Sequence, residues 1–237
     1  MTTTYHKVHC NFTFIPLYFV LLFVLMFSFG QGQLDYRFYD QSCPRLPMIV
    51  RFNVWQAIRN DTRMAASLLR LYFHDCIVDE MTAKFTVKGL DLKDVVVLSG
   101  AHTIGFAQCS TFKKRLFDFK DSGSSDPSMD SLMLSNLQNM CPNKDTSNTN
   151  LAPLDYSSTF RFDNSYYVNV VNKRGLLQSD QALLDDPIAA ALVNSYSNDP
   201  YLFSNDFAAS MIKLSTVGIL TAPYGEIRKK CGSINNI

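Results

Sequence analysis

Residues 62–76, TRMAASLLRLYFHDC, and residues 91–105, DLKDVVVLSGAHTIG, carry the strongest structural signals in this chain. The first stretch is rich in Ala, Leu, Met and Arg, which are good helix formers, and we predict a helix there. The valine run of the second stretch suits a buried strand equally well by periodicity alone. Asp91 at its start and Gly105 at its end favour a helix, because such residues cap helix termini.

The first stretch places a cation, an aromatic ring and an imidazole on one helix face. Arg70, Phe73 and His74 stand at positions i, i+3 and i+4, which are neighbours on a helix surface. All three side chains therefore point into one space. An ordinary helix with an arginine at its rim and a hydrogen-bonded core histidine explains the same triplet.

His102 lies among small residues in the sequence LSGAHTIG. Small neighbours let something flat and bulky lie close to the backbone, and a neutral imidazole is a good ligand for iron. The alternative interpretation is again a core histidine whose nitrogens are hydrogen-bonded.

A third group of residues is rich in oxygen. Asp155, Ser158 and Asp163 fall within LDYSSTFRFDN, and Thr103 directly follows His102. Carboxylates and hydroxyls at short loop spacing suit a hard cation such as calcium, which takes six to eight oxygen ligands. A turn with Asx and Ser/Thr capping is the alternative.

Composition and motifs exclude several other classes of protein. The chain has 22 Lys and Arg against 21 Asp and Glu with no basic block, so no nucleic-acid partner is expected. At 47% hydrophobic and 18% charged residues, global disorder is excluded. The sequence contains no HExxH, CxxC or GxSxG motif and no phosphate-binding glycine loop.

The first residues have the features of a targeting segment. Lys7 is the only charged residue before an apolar run over residues 12–29, which ends in Gly30, Gln31 and Gly32. We interpret residues 1–32 as a secretory signal peptide. An uncleaved membrane anchor is the alternative, but the run is near the lower length limit for spanning a bilayer and Pro16 interrupts it.

The remaining chain, residues 33–237, is predicted to be mainly α-helical. Further helices are predicted over 45–59, 106–118, 129–140, 163–174, 186–196 and 203–217, with polar loops over 121–130 and 142–153. Asn60 begins an Asn-Asp-Thr glycosylation acceptor. Once Cys10 leaves with the signal, five cysteines remain, so at least one is unpaired in an oxidising compartment.

Taken together, the segments resemble the secreted plant haem peroxidases of class III. The matching stretches cover most of residues 33–237 in the order of the family: QLDYRFYDQSCPRLPMIVR, DTRMAASLLRLYFHDC, GLDLKDVVVLSGAHTIGFAQC, LAPLDYSSTFRFDNSYY, GLLQSDQAL, YLFSNDFAASMIKLSTVGILT and GEIRKKC.

This resemblance implies an all-α fold with haem b between a distal and a proximal helical half. It implies that His74 is the distal acid–base catalyst, with Arg70 as its partner and Phe73 restricting access to the iron. His102 matches the proximal iron ligand, and Asp180 matches the acid that hydrogen-bonds to that imidazole.

The resemblance also implies metal and disulfide sites. A proximal calcium site matches Thr103, Asp155, Ser158, Asp163 and the carbonyl of Arg161. The first ligands of a distal calcium site match Asp75 and Val78. A family disulfide matches Cys109 and Cys141. The implied reaction reduces hydrogen peroxide and oxidises small phenolic donors. The implied protein is secreted to the cell wall or apoplast, or is vacuolar. It is a monomer without stable membrane association after signal cleavage.

One large departure from the family stands between the two histidines. His74 and His102 are 28 positions apart, whereas in the family that gap is longer by on the order of a hundred residues, the size of a small domain. The joint lies near residues 79–83, and the distal half and distal calcium loop are therefore incomplete. Cys43, Cys76 and Cys231 resemble half-cystines that have lost their partners. A skipped exon or an incorrect gene model, yielding an impaired or inactive remnant, is the alternative to an active enzyme.

Overall fold

The computed structural model describes residues 37–76, 89–219 and Gly225; for residues 71–76 it describes the backbone only. The helices and strands lie within residues 40–220, which form one compact unit. The described α-helices are α1 Leu46–Asn60, α2 Met64–Cys76, α3 Leu92–Ser99, α4 Lys113–Phe117, α5 Ser131–Met140, α6 Ser165–Val171, α7 Gln178–Gln181, α8 Pro187–Asn198 and α9 Pro200–Ser215. Short 3₁₀ turns occupy Gly100–Thr103, Cys109–Thr111, Phe119–Asp121, Asp145–Ser147 and Ala182–Leu184.

The mainly α-helical class predicted from the sequence is confirmed. Helices occur where they were predicted over 45–59, 62–76, 129–140, 163–174, 186–196 and 203–217, with ends that differ by up to three residues. Local signals explain the boundaries: Asp130, Asp186 and Asp199 each accept hydrogen bonds from the first turn of α5, α8 and α9.

Three predictions on local structure were wrong in part. The segment 106–118 begins not as a helix but as strand β1, Phe106–Gln108, which pairs antiparallel with β2, Leu151–Pro153. The second strand also interrupts the loop predicted over 142–153. Helix α3 ends at Ser99, well before Gly105. Gly105 instead adopts a positive φ of 102°, which redirects the chain into β1.

Two clusters of buried side chains form the interior. The larger joins α3, α6, α8 and α9. Its fully buried large side chains include Leu90, Val96, Val97, Tyr167, Val170, Tyr196, Phe203 and Leu214. The smaller joins α4, α5 and β2 through Phe112, Leu116, Leu137 and Ala152, and includes both Cys109 and Cys141. The candidate site lies on segments that connect these clusters.

Helix α1 has no buried residue, whereas α5, α8 and α9 each bury at least two side chains. Its exposed large apolar side chains are Met48, Ile49, Val50, Phe52, Val54 and Trp55. A helix that is apolar around much of its circumference normally lies inside a protein. Because these six side chains are exposed, the described residues do not cover the apolar surface of α1. None of the described helices is long and apolar enough to cross a membrane.

Helix α3 is fixed by an unusually complete set of contacts around Asp94. Asp91 and Asp94 form a reciprocal capping box at its N-terminus. The Asp94 carboxylate also accepts a hydrogen bond from Ser210 Oγ at 2.7 Å and pairs with Lys213 Nζ, both on α9. The end of α3 therefore has both a local cap and a tertiary anchor.

We expect Asp94→Asn to lower the free energy of unfolding by about 1.5–3 kcal/mol, the usual worth of hydrogen bonds to a buried charged group. Urea unfolding monitored by circular dichroism measures this. Asp121→Asn is the matched control, since Asp121 pairs with Lys114 on the open surface, where both side chains are 80% exposed. Equal effects of the two changes would contradict the anchoring role.

The stability difference between the parent chain and Asp94→Asn should depend on pH. Burial acts to raise the pKa of Asp94, but Lys213, the Asp91 amide and Ser210 outweigh it and hold that pKa below its ordinary value. The stabilisation is therefore present above the ordinary carboxyl pKa and is lost as the pH falls through the folded-state pKa. The difference between the two proteins in urea unfolding should shrink in acid.

Candidate active site

The hydrogen bond between His102 and Asp180 is the centre of the site. His102 Nδ1 lies 2.8 Å from Asp180 Oδ1, across 78 positions of sequence. The 3₁₀ turn that continues α3 presents the histidine, and α7 presents the aspartate. Asp180 is only 1% exposed, and its other oxygen, Oδ2, accepts the Leu177 amide at 2.8 Å. A carboxylate accepts hydrogen bonds only, so Nδ1 carries the proton.

This arrangement leaves the second imidazole nitrogen available. Among the described residues none forms a hydrogen bond with His102 Nε2, and the side chain is 32% exposed. Burial by itself lowers the pKa of His102, but the charge of Asp180 and its hydrogen bond outweigh burial and raise that pKa. The imidazole is thus held in one orientation, and the lone pair of Nε2 is not used by any described residue.

Tyr166 completes this group and was not predicted from the sequence. Its hydroxyl donates to Asp180 Oδ1 at 3.1 Å, the same oxygen that His102 contacts, and its ring meets the His102 ring edge-on. Burial, followed by the charge of Asp180, raises the Tyr166 pKa well above its ordinary value, so the hydroxyl stays protonated. No signal in the sequence connects Tyr166 with Asp180, because they belong to different helices.

Gly100, one of the small residues before His102, has a packing role. The prediction was that small residues here let a flat ligand lie close to the backbone, and at Gly100 the space is filled by protein. A Cβ at Gly100 would collide with the Tyr167 hydroxyl and would lie 2.6 Å from the Phe203 ring. Gly100 therefore lets α6 and α9 approach the turn that carries His102.

The oxygen-rich residues do come together. Thr103 Oγ1 lies 3.3 Å from Asp155 Oδ2 and 3.4 Å from Asp163 Oδ1, and Ser158 Oγ lies 2.8 Å from Asp163 Oδ1. Thr103 and Asp155 are almost fully buried. Arg161, whose carbonyl was the predicted ligand, also places its guanidinium Nε 2.8 Å from Asp163 Oδ2.

The two carboxylates differ in their surroundings. Burial raises the pKa of Asp155, although amides of Ser157 and Ser158 oppose it. Burial also acts on Asp163, but hydrogen bonds led by Ser165 reverse the effect and lower its pKa. Within the described part of the chain, no group of three or more His, Cys, Asp or Glu side chains is arranged for a metal. The cluster therefore offers two carboxylates and two hydroxyls.

A cleft of about 180 Å³ separates part of α2 from the segment that follows His102. Arg63, Ser67 and Arg70 line it from α2 and the turn before it, and Phe106 and Phe160 line it from the other side. A Cβ at Gly105 would lie 3.0 Å from Ala66 Cβ, so the two elements touch directly. Arg70 therefore lies on an element that packs against the His102 segment.

Other predicted residues have different outcomes. Cys109 and Cys141 form a disulfide with a Cα–Cα distance of 5.6 Å, and Cys43 is a free, half-buried thiol. Asn60 is exposed at the end of α1. The remaining predicted features lie outside the described residues or side chains: the signal peptide at 1–32, Phe73, His74, Asp75, Cys76, Val78 and Cys231.

Comparison with known proteins identifies the family of this chain. A family model described as Peroxidase matches residues 77–199. Peroxidase 10 of Arabidopsis thaliana is 41% identical over 85% of this chain and 86% of its own length. The chain belongs to the plant peroxidase family. Peroxidase 54 of Arabidopsis thaliana and the lignin-forming anionic peroxidase of Nicotiana tabacum are each 30% identical, over 99% and 91% of this peroxidase.

Membership confirms the class of enzyme and the fold predicted from the sequence motifs. Peroxidases of this family use haem and calcium, consume hydrogen peroxide and oxidise a reducing substrate. The mainly helical structure agrees with the haem peroxidase fold.

We expect Gly100→Ala in this peroxidase to lower the free energy of unfolding by about 1–3 kcal/mol, because the added methyl group overpacks the core beside His102. Chemical denaturation measures the change. Phe203→Leu provides the internal check, since it opens space on the same side. The double variant should recover part of the loss relative to the sum of the single changes. If the changes in the free energy of unfolding are strictly additive, the strain in Gly100→Ala does not come from contact with Phe203.

Proposed function

We propose that this chain is a haem peroxidase in which His102 binds the iron and Arg70 and His74 act on hydrogen peroxide. The 2.8 Å contact of His102 Nδ1 with Asp180 is the observation that carries this proposal. It fixes the imidazole so that only Nε2 can bind a metal, which is the arrangement that a proximal histidine requires.

The chemistry of the donor set fits haem iron. A neutral imidazole is a good iron ligand, and hydrogen bonding of its N–H to a carboxylate raises the electron density on the other nitrogen. Bound haem would supply the redox chemistry that splits the O–O bond. Asp180 would act through His102, while Tyr166 shares the same carboxylate oxygen and limits how much negative charge reaches the imidazole.

On the distal side, α2 supplies the proton chemistry. Its backbone is helical through Cys76, so Arg70, Phe73 and His74 share one face by helix geometry. His74 takes a proton from hydrogen peroxide and returns it to the peroxide oxygen that leaves as water. An imidazole of near-neutral pKa can do both. Arg70 stays cationic and stabilises charge on the departing oxygen, while Phe73 restricts access.

We assign a proximal calcium to the oxygen cluster next to His102. Thr103, Asp155, Ser158 and Asp163 supply four side-chain oxygens, and the Arg161 carbonyl supplies a fifth. The two carboxylates lie 2.8–3.4 Å from shared hydroxyls, and Asp155 is almost fully buried, so a bound cation would offset the cost of burying its charge. Asp75 and Val78 match the first ligands of a distal calcium site, and we infer that this site is lost because the chain lacks the rest of its loop.

We further propose that residues 1–32 are a signal peptide and that residues 33–237 form a secreted, truncated peroxidase domain. The Cys109–Cys141 disulfide supports secretion, because such bridges persist in oxidising compartments. Hydrogen peroxide and small phenolic reductants are the proposed substrates of the monomeric mature chain.

The lengths of the alignments support the proposed deletion. The comparison with Peroxidase 10 spans 302 positions but includes 85% of this 237-residue chain, about 201 residues. About 100 positions therefore have no residue of this chain opposite them. The tobacco relative gives the same result, with 315 positions against 91% of the chain, about 216 residues.

A catalytically impaired remnant is the second candidate function. The unburied apolar surface of α1 favours it, because that surface has no partner among the residues described. In this case the chain would bind haem or calcium only weakly. Sequencing the transcript across codons 76–90 decides whether the joint exists, and a transcript without the joint would rule out this candidate.

Two substitutions test the proposed roles of the histidines. His102→Ala should abolish stable haem binding, because it removes the one protein–iron bond of the proposal. His74→Leu should keep haem but slow the reaction with peroxide by about 10²–10⁴-fold or more. The Soret band measures haem, and stopped-flow mixing with peroxide measures the rate. A normal Soret band in His102→Ala, or an unchanged rate in His74→Leu, would refute the corresponding role.

Restoring the missing segment tests the second candidate. We expect insertion of the corresponding segment of Peroxidase 10 at residues 79–83 to raise haem content, melting temperature and guaiacol turnover, because it would cover the apolar side chains of α1. A Gly/Ser insert of the same length is the control for chain length alone. Equal behaviour of the original and restored chains would show that the segment is dispensable.

A further inference from the structure

Three tyrosines connect the histidine–aspartate pair with a carboxylate near the surface. The Tyr166 ring contacts the Tyr167 ring at a centroid distance of 4.9 Å, and Tyr167 contacts Tyr196 at 5.1 Å. Tyr196 in turn donates its hydroxyl to Asp206 Oδ2 at 2.9 Å. We call Tyr166, Tyr167 and Tyr196 the tyrosine relay.

We propose that Tyr196 is a redox-active residue that loses one electron to the haem centre through Tyr167 and Tyr166 and passes its phenolic proton to Asp206. This inference rests on the proposed haem function. Electron transfer between side chains falls steeply with distance, and each step in the relay joins rings that are in contact. The first ring, Tyr166, meets the ring of His102 edge-on at 6.1 Å.

The hydroxyl partners show where the oxidising equivalent would be held. A tyrosine becomes far harder to oxidise when no base accepts its proton. The Tyr167 hydroxyl donates hydrogen bonds to the carbonyls of Val96 and Val97. These carbonyls are not bases and cannot take the proton away, so Tyr167 passes the electron on but does not hold the radical. The Asp180 oxygen at Tyr166 is already occupied by His102.

Tyr196 alone in the relay combines burial with a suitable base. Its side chain is fully buried, which shields a radical from solvent, whereas Asp206 is 19% exposed and pairs with Lys93 at 2.9 Å. Burial and the hydrogen bond to Asp206 hold the Tyr196 pKa above its ordinary value, so the phenol begins protonated. Electron loss must therefore be accompanied by proton loss to Asp206.

The electron and the proton leave Tyr196 in different directions. With haem bound, one electron would pass from Tyr196 toward the haem, which would supply the oxidising power taken from hydrogen peroxide. The Tyr196 O–H bond breaks, and an O–H bond forms on Asp206 Oδ2, leaving a neutral phenoxyl radical beside a neutral carboxyl group. A donor at the surface near Asp206 then returns one electron, and the proton moves back to Tyr196. Reducing substrates too large to reach the haem centre would thus be oxidised.

Packing alone does not account for these hydroxyl contacts. Phenylalanine fills a core as well as tyrosine does, and Phe203 and Phe207 occupy the same cluster. The hydroxyls of Tyr166 and Tyr196 each meet a carboxylate, at the two ends of one continuous ring stack. Of these two carboxylates, only Asp206 is not already shared with His102, so the stack has its proton acceptor at the end near the surface.

The test is electron paramagnetic resonance of the haem-loaded full chain, frozen after addition of hydrogen peroxide. We expect an organic radical whose signal narrows when tyrosine with a deuterated ring is incorporated. Tyr196→Phe should lose most of this signal. Asp206→Asn should lose it too, although Tyr196 is still present, and this variant changes only a partly exposed residue. Tyr201→Phe is the matched control, because Tyr201 is 80% exposed and outside the relay.

The Soret band of each sample is recorded before and after peroxide to separate the two proposals. Absence of a Soret band, or of its response to peroxide, would overturn the proposed haem function and the relay with it. A normal Soret response with an unchanged tyrosyl signal in Tyr196→Phe would overturn the relay alone.

A second readout uses donors of different size. Ferrocytochrome c is a protein and too large to reach a buried haem centre, whereas guaiacol is a small phenol. We expect Tyr196→Phe to lose cytochrome oxidation while its kcat for guaiacol is unchanged. Equal loss of both activities would show that Tyr196 is structural and would contradict the relay.

Discussion

The hydrogen bond between His102 and Asp180 is the interaction on which the site depends. A buried carboxylate is costly unless its oxygens are satisfied, and Asp180 has three donors: the His102 ring, the Tyr166 hydroxyl and the Leu177 amide. Because Asp180 is fixed by all three, the imidazole has one favourable orientation.

The two buried clusters hold the partners of this bond from different sides. The larger cluster packs Tyr167 and Phe203 against Gly100, which positions the turn carrying His102. The segment before Asp180 is held by Arg115, which donates to the carbonyls of Gly175 and Leu176 and pairs with the buried Asp126. Arg115 belongs to α4, whose Leu116 lies in the smaller cluster with the disulfide, so both clusters contribute to the geometry of one hydrogen bond.

The uneven burial of the chain has a direct physical meaning. Around His102 the apolar side chains of four helices are buried, whereas α1 exposes six large ones. Burial of apolar surface is the main favourable term in folding, so an uncovered helix of this composition contributes little to stability. The proposed loss of about 100 residues explains this contrast, since it falls next to α2 and leaves the described segments after residue 89 intact.

The sequence by itself determined the features that depend on near neighbours along the chain. Helix-forming residues and capping aspartates located most helices, and the spacing of Arg70, Phe73 and His74 placed them on one face, because helical contacts repeat within four residues. The family motifs, rather than spacing, supplied the role of Asp180. Only the tertiary structure decided that Tyr166 joins the pair of His102 and Asp180. It also decided that residues 106–108 pair with residues 151–153 instead of forming a helix, and that Gly100 makes room for Tyr167. Each of these contacts joins segments far apart in sequence, so each depends on how whole helices pack and not on local preference.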